Sequence, residues 1–320
     1  MRISTTVGLQ LHGPQTLDDV VDEVRHAATL GLHGAWWSQT FGWDALTAIA
    51  VTGRAVGDLA VLGTAVVPTY PRHVLALAGQ ALTTQAAVGG RLVLGVGPSH
   101  APVVEGALGL AYDRPARHTR EYLSALVPLL AGSPVDVRGE LVRATGATPV
   151  PGAAPPPVLL AALGPVMLRI AGELADGTIV TWVTERSLDA HVVPRVTAAA
   201  EAAGRPRPQV VVSLPVALTD DPDAARAWVA DRFGAANDLP SYRAVLDREG
   251  VAGVEDVVVA GPEGAVRRAV DRLAGAGATE LVAVPVGPPD QVERTLALLG
   301  DIARTGRGTP VRPAPARPPA

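Results

Sequence analysis

Residues 59–100 read LAVLGTAVVPTYPRHVLALAGQALTTQAAVGGRLVLGVGPSH, and this stretch decides the fold class. Two short apolar runs, at residues 59–67 and 91–96, flank an apolar segment of helical length at 72–88. A strand, a helix and a second strand in this order are typical of a parallel sheet whose strands are connected by helical crossovers. The stretch therefore predicts one repeating unit of an α/β fold.

The same alternation continues towards both ends of the chain. Further strands are predicted at residues 3–11, 34–37, 158–162, 178–183, 209–218 and 280–286, whereas 234–262 resist assignment. Eight strands over about 300 residues predict a (β/α)8 TIM barrel. Periodicity alone cannot separate a closed barrel from an open doubly wound sheet. However, the first strand runs into His12-Gly13-Pro14 and lacks the glycine pattern of a dinucleotide-binding fold.

One domain is predicted for residues 1–305. Residues 132–156 are rich in glycine, proline and alanine, and we interpret them as an insertion that contains a hairpin near 135–142. Proline and arginine dominate residues 306–320, so a disordered tail is predicted there.

Composition excludes several kinds of chemistry. The chain has no lysine and no cysteine, which removes Schiff-base, P-loop lysine, thiolate and disulfide chemistry. Its formal net charge of −4 gives no reason to expect nucleic acid as a partner, and its histidines show no metal-binding spacing. Gly57 and Asp58 interrupt the apolar stretch around residues 55–67, and no signal peptide is visible near the start. A cytoplasmic protein without a membrane partner is predicted.

Three stretches together resemble the bacterial luciferase-like family, and especially its F420-dependent branch. The first is GTAVVPTYPRH at 63–73. The second is RLVLGVGPSH at 91–100, which leads into YDRPARHTREYL at 112–123. The third is AALGPVMLRIAGELADG at 161–177. The resemblance extends to about residue 304. It implies a luciferase-like TIM barrel with insertions and an oxidoreductase that uses coenzyme F420, with FMN as the alternative cofactor.

At the ends of strands three and four, the resemblance implies contacts with the cofactor ring. The family has a non-prolyl cis peptide at the end of strand three, which corresponds here to Thr64–Ala65, followed by Val66. An ordinary strand end before Pro68 is the alternative. Gly97, Pro98 and Ser99 are implied to lie against the cofactor, since glycine lets the backbone approach a ring closely.

His100 is the predicted catalytic residue, and it also belongs to the predicted cofactor contacts. Sugar-phosphate dehydrogenases of the family carry a glutamate at the corresponding place, so the histidine makes the same substrate improbable. Because histidine titrates near neutral pH, His100 could donate or accept a proton at the cofactor edge. A solvated loop histidine is the alternative.

The start of the helix after strand five is a predicted phosphate site. Backbone N–H groups at a helix N-terminus bind phosphate, and the resemblance implies a phosphate site at the helix start formed by Gly164, Pro165, Val166 and Met167. Ala162, just before this start, is a further implied cofactor contact. An ordinary helix start with proline in its first turn is the alternative.

Further candidates come from other strand ends. Ser38 could contact the edge of a deazaflavin, and His12, Trp37, Trp43 and Trp182 are the predicted substrate-binding residues. Packing inside the barrel or between subunits explains the tryptophans equally well, and a surface role explains His12.

Three functions remain open at this point. The first is an F420-dependent oxidoreductase that moves a hydride between the deazaflavin C5 and a small organic substrate. The second is an FMN-dependent luciferase-like monooxygenase, and the third is a non-catalytic cofactor-binding barrel. The family resemblance also implies a homodimer or higher homo-oligomer, formed through the helices after strands two and three.

Overall fold

The computed structural model describes residues 1–306, and within them eight parallel strands form a closed ring. The strands are β1 (Arg2–Val7), β2 (Gly34–Trp37), β3 (Val61–Thr64), β4 (Leu92–Gly97), β5 (Val158–Ala161), β6 (Gly177–Thr181), β7 (Gln209–Leu218) and β8 (Glu280–Pro285). Each strand pairs with the next, and β8 also pairs with β1, which closes the ring. The predicted TIM barrel is therefore confirmed. The predicted disordered tail lies outside the described residues from 307 onwards.

Helices surround the ring on its outer side. They are Leu17–Thr29, Ala45–Ala55, Val74–Ala87, Pro115–Leu130, Pro165–Leu174, Val193–Ala202, Pro222–Phe233, Pro240–Glu249, Glu263–Gly275 and Pro289–Thr305. The first helix shows why these segments are helical: Val20, Val24 and Ala27 repeat at helical spacing and are buried on one face. Thr16 and Asp19 form a capping box that begins this helix.

Large side chains fill the inside of the ring. Trp36, Val61, Val93, Leu159, Ile179, Val211 and Val282 form one cluster there. At the amino-terminal end of the strands, the Glu280 carboxylate accepts hydrogen bonds from Ser4 Oγ at 2.7 Å and from Trp36 Nε1 at 2.9 Å. Arg2 Nε lies 3.2 Å from the same carboxylate. This end of the barrel is therefore filled.

The end of strand three differs from the prediction by one residue. The structure has the cis peptide bond at Ala65–Val66, so the predicted position Thr64–Ala65 is wrong. Thr64 stays in the sheet because its hydroxyl donates to Gly95 O and accepts from Gly95 N, both at 2.8 Å. The chain consequently leaves β3 only after Thr64, and the predicted run 59–67 is divided into β3 and the two-residue strand Val67–Pro68.

The segment 234–262, which the sequence left unassigned, contains several short elements. Gly234–Asp238 and Val254–Val257 are single helical turns, and Val259–Gly261 pairs in parallel with β7. Helix Pro240–Glu249 lies between the two turns.

The predicted insertion contains an antiparallel hairpin. Its strands are Val135–Arg138 and Arg143–Gly146. The carboxylate of Glu121 anchors it by accepting hydrogen bonds from the backbone N–H groups of Leu141 and Val142.

Candidate functional site

Two connected cavities open at the carboxyl ends of the barrel strands, where TIM barrels place their active sites. The central cavity has a volume of about 300 Å³ and the side cavity about 360 Å³. Both are lined by Val66, Ala161, Ile179, Thr181 and Tyr242. Three of these, Val66, Ala161 and Ile179, belong to or pack on the cluster inside the ring, so that cluster is the common floor of the two cavities.

Most of the predicted site residues line these cavities. The central cavity contacts Ser38, Ala65, Val66 and Trp182. The side cavity contacts Val66, Gly97, Pro98, Ser99, His100, Gly164 and Met167.

Strand geometry keeps other predicted residues away from the cavities. Neighbouring side chains in a strand point to opposite faces, so Trp36 points into the barrel while Trp37 packs outside against the helices. Ala162 is likewise buried outside the ring, next to Ala161, which lines both cavities. Thr64 is fully buried and bonds to the neighbouring strand.

The remaining predicted residues lie at the periphery. Pro165 and Val166 are exposed on the first turn of their helix, where only their backbone can face an anion. Trp43 packs on the outer core. The exposed His12 ring lies 5.9 Å from the Trp228 ring, outside both cavities.

His100 is held by two hydroxyl groups of helix Pro240–Glu249. Its Nε2 lies 3.2 Å from the Tyr242 hydroxyl and its Nδ1 lies 3.3 Å from Ser241 Oγ. Burial lowers the pKa of His100 below its ordinary value of 6.5. His100 is therefore a neutral imidazole at pH 7, and its hydroxyl partners can each donate or accept a proton.

Tyr242 lies where the two cavities meet. Burial raises the pKa of its phenol to about 12, so the hydroxyl keeps its proton at neutral pH. The ring packs edge-on against His100 at 4.8 Å, and Trp182 stands 6.3 Å away on the other side. The His100–Tyr242 pair thus connects the side cavity with the central one.

Two features of the side cavity favour an anion. Helix Pro165–Leu174 begins at its wall, and no side chain of the described residues caps the first turn of that helix. Arg248 also lines this cavity. Within the described part of the chain, Arg248 forms no ion pair with a carboxylate. Burial lowers the pKa of His191, and the positive charge of Arg248 lowers it further. A cation and free backbone donors therefore face the same space.

Sequence reasoning missed Ser241, Tyr242 and Arg248. All three lie on helix Pro240–Glu249, within the segment that gave no clear pattern. Pro240 at the helix start was the one local signal, because proline is favoured in the first helical turn.

A closed barrel with its cavities at the carboxyl ends of the strands has the arrangement of TIM-barrel enzymes. The family described as luciferase-like monooxygenase matches residues 1–306, and the chain belongs to this family. The prediction that the protein is an oxidoreductase of the luciferase-like family is therefore confirmed.

Individual relatives agree with this assignment. The chain is 26% identical over 319 residues to 5,10-methylenetetrahydromethanopterin reductase of Methanolobus tindarius, covering 88% of this chain and 95% of the relative. It is 31% identical over 202 residues to a putative coenzyme F420-dependent oxidoreductase of Mycobacterium tuberculosis, with 58% of each chain covered.

A solved structure shares the fold. The F420-dependent tetrahydromethanopterin reductase of Methanopyrus kandleri superposes with a TM-score of 0.79, at 21% identity, over 96% of this chain and 99% of that one.

Within residues 1–306 the structure has neither a candidate membrane span nor a candidate metal site. No helix there has the length and apolar character needed to cross a membrane. No group of acidic or histidine side chains there is arranged to hold a metal ion.

Proposed function

We propose that the protein is an F420-dependent oxidoreductase that transfers a hydride between the deazaflavin C5 and a small organic substrate, in the direction of substrate reduction. The observation that carries the proposal is the side cavity, which joins an apolar floor at the barrel mouth to the cationic end at Arg248. Two of the relatives described above are named for their dependence on coenzyme F420.

The residues of the side cavity fit such a cofactor. Val66, Ala161 and Ile179 offer an apolar surface for a flat ring. The uncapped first turn of helix Pro165–Leu174 offers the backbone N–H groups of Val166 and Met167 to a phosphate. Val166, in this first turn, carries no charge, but Arg248 lines the same cavity. A phosphate bound there gains a charge-assisted hydrogen bond from Arg248.

His100 and Tyr242 are the proposed proton-transfer residues. When bound, the deazaflavin supplies the hydride. His100 lies on the cofactor side and exchanges protons with Tyr242, whose hydroxyl also faces the central cavity. A proton can therefore reach the substrate from Tyr242 and be replaced through His100. Ser38 donates a hydrogen bond to Ala65 O at 3.0 Å and thereby helps to fix the loop under the ring.

Cofactor binding tests the proposal. Purified protein is titrated with F420 and, separately, with FMN, and binding is followed by the change in cofactor fluorescence. We expect F420 to bind at micromolar concentration and FMN to bind much more weakly. Binding of FMN without binding of F420 would favour the monooxygenase. Binding of F420 with no turnover of any tested substrate would favour the non-catalytic barrel.

A matched pair of variants tests the cationic end. Arg248→Gln removes the charge from the side cavity, whereas Arg169→Gln removes a charge from the exposed side of helix Pro165–Leu174, where Arg169 faces Glu173. A lost charge-assisted hydrogen bond predicts a Kd for F420 that rises about 10- to 100-fold for Arg248→Gln. Arg169→Gln should leave the Kd unchanged. Equal effects of the two variants would contradict the assignment of Arg248.

Assembly and location stay proposals as well. The family resemblance supports a homodimer or higher homo-oligomer, which light scattering at micromolar protein concentration would detect. The proposed location is the cytoplasm.

A further inference from the structure

The walls of the central cavity combine aromatic surface with hydroxyl groups. Trp182 packs between Phe233, at 5.7 Å, and Tyr242. Leu9 and Pro215 add apolar surface, and the polar side chains that line the cavity are those of Thr6, Ser38, Thr181, Ser213 and Tyr242. Hydroxyl groups can hydrogen-bond to an uncharged polar atom, but they cannot neutralise the charge of an ion.

Charge is missing from this lining. Among the described residues that form the central cavity there is no aspartate, glutamate, arginine or histidine, and Tyr242 stays protonated at neutral pH. Two charged groups of the barrel are engaged elsewhere. Glu280 lies below the core cluster with Ser4, Trp36 and Arg2, and Arg248 faces the side cavity.

We infer that the substrate of the central cavity is an uncharged, mainly apolar molecule of small size that carries one hydrogen-bond acceptor, such as a ketone or an unsaturated carbonyl compound. A carboxylate or phosphate would lose its hydration in this cavity without gaining a cation, which is strongly unfavourable. The inference rests on the proposed function, since it assigns the cofactor to the side cavity and the substrate to the central one.

Tyr242 is the donor best placed for the acceptor atom. Its side chain lines the central cavity, and its hydroxyl lies 3.2 Å from His100 Nε2. In the reduction of a ketone, a bound, reduced deazaflavin would supply the hydride to the carbonyl carbon, and the oxygen would take its proton from Tyr242. The products would be an alcohol and the oxidised deazaflavin. Tyr242 would recover its proton from solvent through His100, whose Nδ1 lies 3.3 Å from the hydroxyl of the exposed Ser241.

A pair of probes that differ in charge tests the inference. Cyclohexanone and cyclohexanecarboxylate share the ring, and ligand-detected NMR at pH 7 measures their binding to the protein with F420 bound. The same pair is measured without F420 on the Arg248→Gln variant, in which the cation of the side cavity cannot capture the carboxylate. We expect cyclohexanone to bind and the carboxylate to bind at least about tenfold more weakly, because an unpaired ion must be desolvated. Equal or tighter binding of the carboxylate would overturn the inference.

Three variants sharpen the test. Phe233→Arg places a cation on the wall of the central cavity and should create carboxylate binding. Phe41→Arg adds the same charge at an exposed residue outside the cavity lining and should change nothing. Tyr242→Phe should weaken cyclohexanone binding several-fold while leaving the binding of methylcyclohexane unchanged. Circular dichroism confirms that each variant folds, and the probe pair on the unmodified protein remains decisive if one does not.

The two proposals can fail separately. If F420 does not bind but the unmodified protein prefers the ketone over the carboxylate, the proposed cofactor is wrong and the substrate class stands. If F420 binds and the carboxylate binds as tightly as the ketone, the cofactor stands and the substrate class is wrong.

Discussion

His100 makes two hydrogen-bonding contacts on one helix, and both partners carry hydroxyl groups. In an ordinary solvent-exposed loop histidine, at least one ring nitrogen would contact water. Here burial holds the ring neutral, and the Tyr242 hydroxyl joins it to the central cavity. This arrangement is the one expected of a residue that passes protons between two spaces.

Replacement of His100 tests that role. His100→Ala should lower turnover about 10²- to 10⁴-fold, the usual range for general acid–base catalysis. It should also lower the melting temperature, because the Tyr242 hydroxyl loses its partner. The control is His12→Ala, because His12 is exposed and lies outside both cavities. Turnover and F420 affinity are measured on the same samples. Weaker F420 binding at unchanged turnover would make His100 a cofactor ligand only, and no change in either would return it to the solvent-exposed alternative.

At the scale of elements, the contact between β3 and β4 shapes the floor of the site. A side chain at Gly95 would place its Cβ 2.0 Å from Thr64 O, and Thr64 immediately precedes the loop with Ala65 and Val66. Only glycine allows the two strands to approach so closely. The identity of one residue in β4 therefore controls the position of the loop after β3, which lines the central cavity.

A pair of glycine variants checks this contact. Gly95→Ala should lower the free energy of unfolding by about 1–3 kcal/mol, the usual cost of overpacking, and should weaken F420 binding as well. Gly79→Ala should instead raise it by about 0.5–1 kcal/mol, since Gly79 is helical and has open space around it. Urea unfolding measures both. Similar effects of the two substitutions would show that the close approach at Gly95 does not matter.

The sequence predicted the elements with strong periodicity and missed those defined by contacts far apart in the chain. The strands of the ring were found because their apolar runs are continuous, and the motif at 91–100 led to His100. Helix Pro240–Glu249 was missed because few of its side chains are buried, namely Val245, Leu246 and Glu249. The contacts that give Tyr242 and Arg248 a role are with residues more than 50 positions away in the chain, such as Trp182 and His191, which no local pattern reports.

The same limit explains the position of the cis peptide bond. The motif placed the irregular bond near Thr64, but the sequence does not show that Thr64 bonds to Gly95. That tertiary contact keeps Thr64 in the sheet, and the cis bond follows one residue later, at Ala65–Val66.

For the whole molecule, three buried histidines link stability to pH. Burial lowers the pKa values of His100, His118 and His191 below 6.5, and Arg248 and Arg195 add to the effect at His191. The unfolded chain therefore binds more protons than the folded chain just below pH 6.5. Stability consequently rises with pH through this window and is lost as the pH falls through it.

Unfolding at several pH values tests this linkage. The free energy of unfolding, measured with urea, should decrease between pH 7.5 and pH 5.5, above the range in which carboxylates titrate. His118 is buried and stacks on Tyr70 at 3.9 Å. Because glutamine cannot be protonated, His118→Gln should make the free energy of unfolding decrease less steeply as the pH falls. A free energy that stays constant over this range would contradict the prediction.

The filled amino-terminal end of the barrel has a kinetic consequence. With Glu280, Trp36 and Ser4 hydrogen-bonded below the core cluster, ligands have to enter and leave at the carboxyl ends of the strands. The side and central cavities share their floor, so a cofactor bound in one forms part of the wall of the other. Substrate that arrived first would lack that wall and would obstruct the shared entrance. Initial-rate measurements should therefore give the pattern of a compulsory order, with the cofactor binding first and the reduced product leaving before it.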